Sequence, residues 1–186
     1  MIQNKKAAIE MSIGTIVVLV LAMSMLILGL VLVKNIFSTA NDSVEKVRSA
    51  TGKELDKLFS DESKKLAINL PNNQIEIKKN TDAFVGFAIK NTIQGESGAS
   101  AFSYDVVASS VETGCQLTTG AASNYLVNGK SKSGINLMPG SDPAVQVVQV
   151  SIPDNAPLCT IFYDINVKNA GAPYSTDFFI VKIVGN

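Results

Sequence analysis

Residues 8–37 read AIEMSIGTIVVLVLAMSMLILGLVLVKNIF, and from Ile13 to Val33 there are twenty-one consecutive residues without a charge. Thr15 and Ser24 are the only polar side chains in that run. At ~1.5 Å per residue it makes a helix of about 30 Å, the thickness of a bilayer's hydrocarbon core. Lys5 and Lys6 precede it, and Lys34, Lys46 and Arg48 follow, interleaved with Asp42 and Glu45. Counting Lys and Arg alone does not orient such a span. The short amino-terminal side reads as a cytoplasmic stub, which puts the amino terminus inside and the carboxyl-terminal part outside. Ser38-Thr39-Ala40 has the small-x-small pattern of a signal-peptidase site, but the apolar run exceeds the usual ~7–15 residues and Lys34 interrupts the path to that cut.

The order Asn4-Lys5-Lys6-Ala7, then Ala8-Ile9-Glu10-Met11-Ser12-Ile13-Gly14-Thr15-Ile16, resembles the class III signal of archaeal type IV pilins and archaellins. That resemblance implies cleavage by a prepilin peptidase on the cytoplasmic side, between Ala7 and Ala8 or one residue later, with Lys5 and Lys6 marking the site. The apolar helix then stays in the mature chain. It also implies that Glu10 pairs with the amino terminus of a neighbouring subunit. A carboxylate in an apolar bundle costs several kcal/mol unless a cation neutralises it. Glu10 would be the third mature residue, whereas bacterial pilins place a glutamate fifth and archaellins often carry glycine there. The other reading of Glu10 sets it at the headgroup level beside Lys5 and Lys6.

Beyond Val33 the pattern turns amphipathic. Phe37, Ala40, Val44, Val47, Leu55 and Leu58 follow three- and four-residue steps, with Asp42, Glu45, Lys46, Arg48, Lys53, Glu54, Asp56 and Lys57 on the other faces. No proline occurs before Pro71. The sequence therefore predicts one helical stem over 8–60, with Gly52 as the place for a kink. Ala22, Ser24 and Gly29 would permit close helix approach, although small residues are common in any membrane helix. Asn41-Asp42-Ser43 spells an N-glycosylation sequon.

From Leu66 onward the period becomes alternating. Residues 75–77, 83–91, 102–107, 144–152, 159–167 and 177–183 read as strands separated by Asn-, Thr- and Gly-rich turns. Six to eight short strands point to an antiparallel sandwich over 66–186. The spacing Phe84-x-x-Phe87-x-Ile89-x-Asn91-Thr92 resembles the second-strand region of immunoglobulin-like domains in archaeal surface proteins. The expected class is α+β: a hydrophobic-then-amphipathic helix followed by an antiparallel immunoglobulin-like β-sandwich. Residues 110–140 read as a long surface excursion. If the head lies outside, Cys115 and Cys159 close a disulfide; the alternative is two buried thiols that never meet.

The 186-residue chain carries sixteen basic and sixteen acidic residues and no His or Trp. Balanced charge without a basic stripe argues against nucleic acid as a partner. Lacking His, the chain cannot build an ordinary catalytic triad, and no Gly-rich phosphate loop follows a strand. Asp61-Glu62 and Asp154-Asn155 lack calcium-loop spacing and read as solvated turns. No enzyme, metal or cofactor is expected. The first expectation is a filament subunit: a leader over 1–7, a stem over 8–60 that spans the cytoplasmic membrane near 13–33 before assembly, and an outward head. Its partners are copies of itself through the stem, the prepilin peptidase and a membrane assembly platform, and its final place is the cell surface. The rival is a single-span surface protein whose β-sandwich binds or adheres and never polymerises.

Overall fold

The computed structural model describes residues 14–31, 59, 64–95 and 98–185. They divide into two compact units between Ser43 and Val44. In the first, helix α1 spans Gly14–Val31 and is exposed along its whole length. Ser24 keeps its hydroxyl satisfied inside the helix by donating to the Val20 carbonyl at 2.8 Å. The leader, the stem from residue 32 to 58, Gly52 and the Asp61-Glu62 pair lie outside the described residues.

The second unit is a sandwich of two sheets. Its strands are β1 (Leu66–Ile68), β2 (Gln74–Lys78), β3 (Thr81–Ile89), β4 (Ser100–Val111), β5 (Leu126–Asn128), β6 (Ser131–Leu137), β7 (Ala144–Ile152), β8 (Thr160–Asn169) and β9 (Ala172–Val184). One sheet has the order β1-β3-β7-β5 and the other β2-β9-β8-β4-β6. Alternation puts Val85, Phe87 and Ile89 of β3 and Val148, Val150 and Ile152 of β7 on the inner face of the first sheet. From the second sheet, Phe102, Tyr104 and Val106 of β4, Ile161, Tyr163 and Ile165 of β8, and Phe179, Val181 and Ile183 of β9 meet them. Phe87 stands edge-on to Tyr104 with ring centroids 4.9 Å apart, and Tyr163 stacks on Phe179 at 5.2 Å.

Two departures from expectation have local causes. First, the sandwich is not wholly antiparallel, because β2 runs parallel to β9, with Gln74 opposite Ile180 and Lys78 opposite Val184. The chain crosses from one sheet to the other in the turn Pro71–Asn73, where Asn72 and Asn73 take left-handed conformations (φ 53° and 55°). Asparagine tolerates that region better than most residues. After the crossing the strand keeps its direction and so meets β9 in parallel.

Second, residues 110–140 are not a surface excursion. The end of β4, a short helix α2 (Thr119–Ser123) capped by the Thr118 hydroxyl, and β5 and β6 occupy much of them. Ala122, Leu126, Ile135 and Leu137 from this stretch are buried in the core.

Gly129, at the corner between β5 and β6, is required twice over. Its φ is +71°, and a Cβ there would collide with the Val147 carbonyl of the backbone alongside. Gly129→Ala is expected to lower the stability of the head by more than about 1 kcal/mol, with no comparable effect from Gly171→Ala beyond the left-handed strain the two share; urea denaturation of both variants checks this.

Candidate functional site

Among the described residues, helix α1 has the surface that most needs a partner. Its leucine, isoleucine, valine and methionine side chains from Ile16 to Val31 are all more than half exposed, apart from Val31 itself at 50%. Each such side chain gains roughly 1.5–3 kcal/mol on leaving water. The helix is about 27 Å long, uncharged, and long and apolar enough to cross a membrane. By length and composition a membrane anchor and a signal sequence both satisfy that description.

In the head, the outer face of the four-stranded sheet is closed at one end. β3 is buried on both faces from Val85 to Ile89, and on its outer side Ala88 lies against Ala67 of β1, both at 0% exposure. Phe59 covers them, buried to 6%, with Val145 of β7 alongside. Two alanines at neighbouring positions leave the depth that an aromatic ring fills. Phe59, which falls within the stem expected over 8–60, sits in a turn and belongs to the packing of the head.

The stretch of chain between β4 and β6 is fixed at three points. Cys115 and Cys159 are disulfide-bonded, with Cα atoms 5.9 Å apart, so the expected pairing is present and Cys159 lies one residue ahead of β8. The Tyr163 hydroxyl donates to the Ala122 carbonyl at 2.8 Å, and the Tyr104 hydroxyl donates to the Gly129 carbonyl at 2.9 Å. Both phenols lie inside an apolar core, which pushes that of Tyr104 up to about 12. Burial raises that of Tyr163 too, with Tyr125 nearby as the lesser cause. The sequence singled out the cysteines but not the tyrosines. The available signal was a tyrosine at an inward position of a strand, where its hydroxyl needs a partner.

The remaining candidates stand as follows. Lys5, Lys6, Ala7, Ala8, Glu10 and Asn41 lie outside the described residues. Asp154 and Asn155 form the exposed turn between β7 and β8, and among the described residues no group of three His, Cys, Asp or Glu side chains could hold a metal.

No known protein family and no curated protein matches the chain. Among solved structures, a PapD-like (ASH) domain of human CEP192, its PapD-like domain 7, is similar over 66% of this chain and 85% of that one, at 11% identity and a TM-score of 0.42. A family 123 glycoside hydrolase from Clostridium perfringens is similar over 64% of this chain and 27% of its own, at 10% identity and a TM-score of 0.40. Neither likeness is close enough to carry a functional argument.

Two outcomes are expected of the pinned segment. Reduction of Cys115–Cys159, which are 44 residues apart, should lower stability by roughly 3–4 kcal/mol on the chain-entropy estimate, read as the difference in urea midpoint with and without reductant. The second concerns alkali. A phenol kept neutral by the fold contributes stability that is fully present below its unfolded value of 10.0 and is lost as the pH rises through about 12. The melting temperature of the head should be level up to about pH 9 and fall between 10 and 12. Tyr104→Phe should start from a lower plateau, having lost the bond to Gly129, and decline less steeply.

Proposed function

We propose that this chain is a pilin, the structural subunit of an archaeal type IV pilus-like surface filament. The observation that carries this reading is α1: an uncharged helix exposed on every side, in a chain whose β head closes its own core from its own strands. Before assembly α1 lies in the cytoplasmic membrane with the amino terminus inside. Prepilin peptidase hydrolyses the bond between Ala7 and Ala8, and the freed α-amine of one subunit neutralises Glu10 of another. The assembly platform then moves α1 out of lipid and against the helices of its neighbours, exchanging one apolar environment for another. Phe59 rests on the outer face of the four-stranded sheet. The chain catalyses nothing in this reading and takes no cofactor.

Strand order supports an immunoglobulin-like head. β1-β3-β7-β5 corresponds to the A-B-E-D sheet of that fold and β9-β8-β4 to its G-F-C sheet. The chain departs from the pattern between β4 and β7, where it visits the four-stranded sheet as β5 before joining the five-stranded sheet as β6.

Intact mass and peptide mapping of the protein taken from its own cells should give a mature chain beginning at Ala8. Glu10→Ala should leave that cleavage in place and abolish filaments seen by electron microscopy. A chain beginning at Met1 would instead make the protein an anchored surface module, and one beginning near Asn41 a secreted protein.

A further inference from the structure

The end of the head where β1 begins holds an open cleft of about 850 Å³ with Lys65 and Lys90 on its walls. These two lysines are the next pair in the β1–β3 ladder after Leu66 and Ile89, joined by the Lys90 amide donating to the Lys65 carbonyl at 2.9 Å. Like charges directly opposite each other on paired strands are destabilising. No carboxylate offsets them among the described residues, whose ion pairs are Lys168 with Asp105 and Lys182 with Glu76. Instead each ammonium lies over an aromatic ring, Lys65 at 4.8 Å from the centre of Tyr174 and Lys90 at 6.0 Å from that of Phe59. Such contacts orient a cation without neutralising it.

The wall between the lysines and the rim is rigid. Asn91 is buried to 1% exposure; its amide donates to the Leu137 carbonyl at 2.9 Å and its oxygen accepts from the Ile93 amide at 3.0 Å. The Tyr174 hydroxyl donates to the Lys90 carbonyl at 2.8 Å and accepts from the Thr92 amide at 2.9 Å. Gly140 closes the far side by donating its amide to the Asn91 carbonyl at 3.2 Å. Nothing in polymerisation through α1 calls for this arrangement.

We propose that the cleft binds an acidic oligosaccharide, with a carboxylate between the Lys65 and Lys90 ammonium groups and sugar hydroxyls on Thr92 and Gln94. The volume lies within the ~300–1,000 Å³ that small ligands fill. Among the described lining residues, Ile93 and Pro139 are the only apolar side chains beyond the lysine stems, which suits a hydroxylated ligand and not an acyl chain. Ammonium–carboxylate contacts are the charge-assisted kind that repay burial. The site draws on no residue of the assembly helix, so it stands or falls separately from the filament reading.

The test uses the full chain in non-ionic detergent micelles, titrated with trigalacturonate, with neutral galactotriose and with inorganic phosphate. Trigalacturonate should bind at least about tenfold more tightly than galactotriose, and Lys65→Met and Lys90→Met should each weaken it about fivefold or more. In the unmodified protein, trigalacturonate should slow acetylation of Lys65 and Lys90 several-fold relative to Lys78 and Lys130, a readout that needs no variant to fold. Equal binding of the acidic and neutral sugars, or unprotected Lys65 and Lys90, would overturn the proposal. Phosphate protecting both lysines as well as trigalacturonate does would overturn the sugar assignment.

Discussion

The contact between Phe87 on one sheet and Tyr104 on the other, edge to face at 4.9 Å, is the joint on which the head depends. The Tyr104 ring fills the space between the layers while its hydroxyl holds the Gly129 carbonyl, and Gly129 in turn presses against the Val147 backbone of β7. One side chain therefore joins β3, β4, the β5–β6 corner and β7. Tyr163 repeats the device on β8, stacking on Phe179 and holding the Ala122 carbonyl of α2. A connecting segment with few apolar residues of its own is fixed by bonds that core residues extend to it. The disulfide closes the same segment covalently at its other end.

This explains which parts of the fold were legible in the sequence. β8 announces itself because one face is core and the other is wetter, so buried and partly exposed residues alternate from Thr160 to Val167; β3, β7 and β9 are legible as long runs rich in Val, Ile and Phe, with β3 buried on both faces from Val85 to Ile89. β1 is only Leu66-Ala67-Ile68, and all three residues are buried, so it has no alternation to read. β5 is a three-residue edge strand and β6 a largely polar one, and the corner between them is held by the Tyr104–Gly129 bond, between residues 25 apart. Strand direction is not encoded in periodicity at all, and β2 pairs in parallel with β9 after the chain crosses between the sheets at Pro71–Asn73. The disulfide was legible because two cysteines allow a single intramolecular pairing. The lysine cleft was not, because Lys65 and Lys90 meet only through the β1–β3 register.

The two units solve the problem of apolar surface differently. The head buries its large side chains between its sheets and covers the outer alanines of β1 and β3 with Phe59, while α1 buries nothing. Demand for an apolar partner is thus concentrated in one helix. In the proposed filament that concentration suits a subunit that must live first in lipid and then among copies of itself, since both surroundings satisfy α1 without changing the head.

In the proposed filament, crowded subunits would risk pairing through their sheet edges, and among the described residues each edge of this head is protected against it. β1 and β5 are three residues long, too short to template another strand. β2 carries Glu76 and Lys78 on its solvent side, with Glu76 paired to Lys182 at 3.0 Å. β6 is broken by a shift in register against β4, with Gly134 in the left-handed region at φ +69°. A bulge of this kind twists an edge away from a flat neighbour. With all four edges blunted, strand addition is a poor route to association. In the proposed filament the described surface left to drive assembly would be α1, whose helical backbone has no free ladder of its own and whose association would be set by side-chain packing.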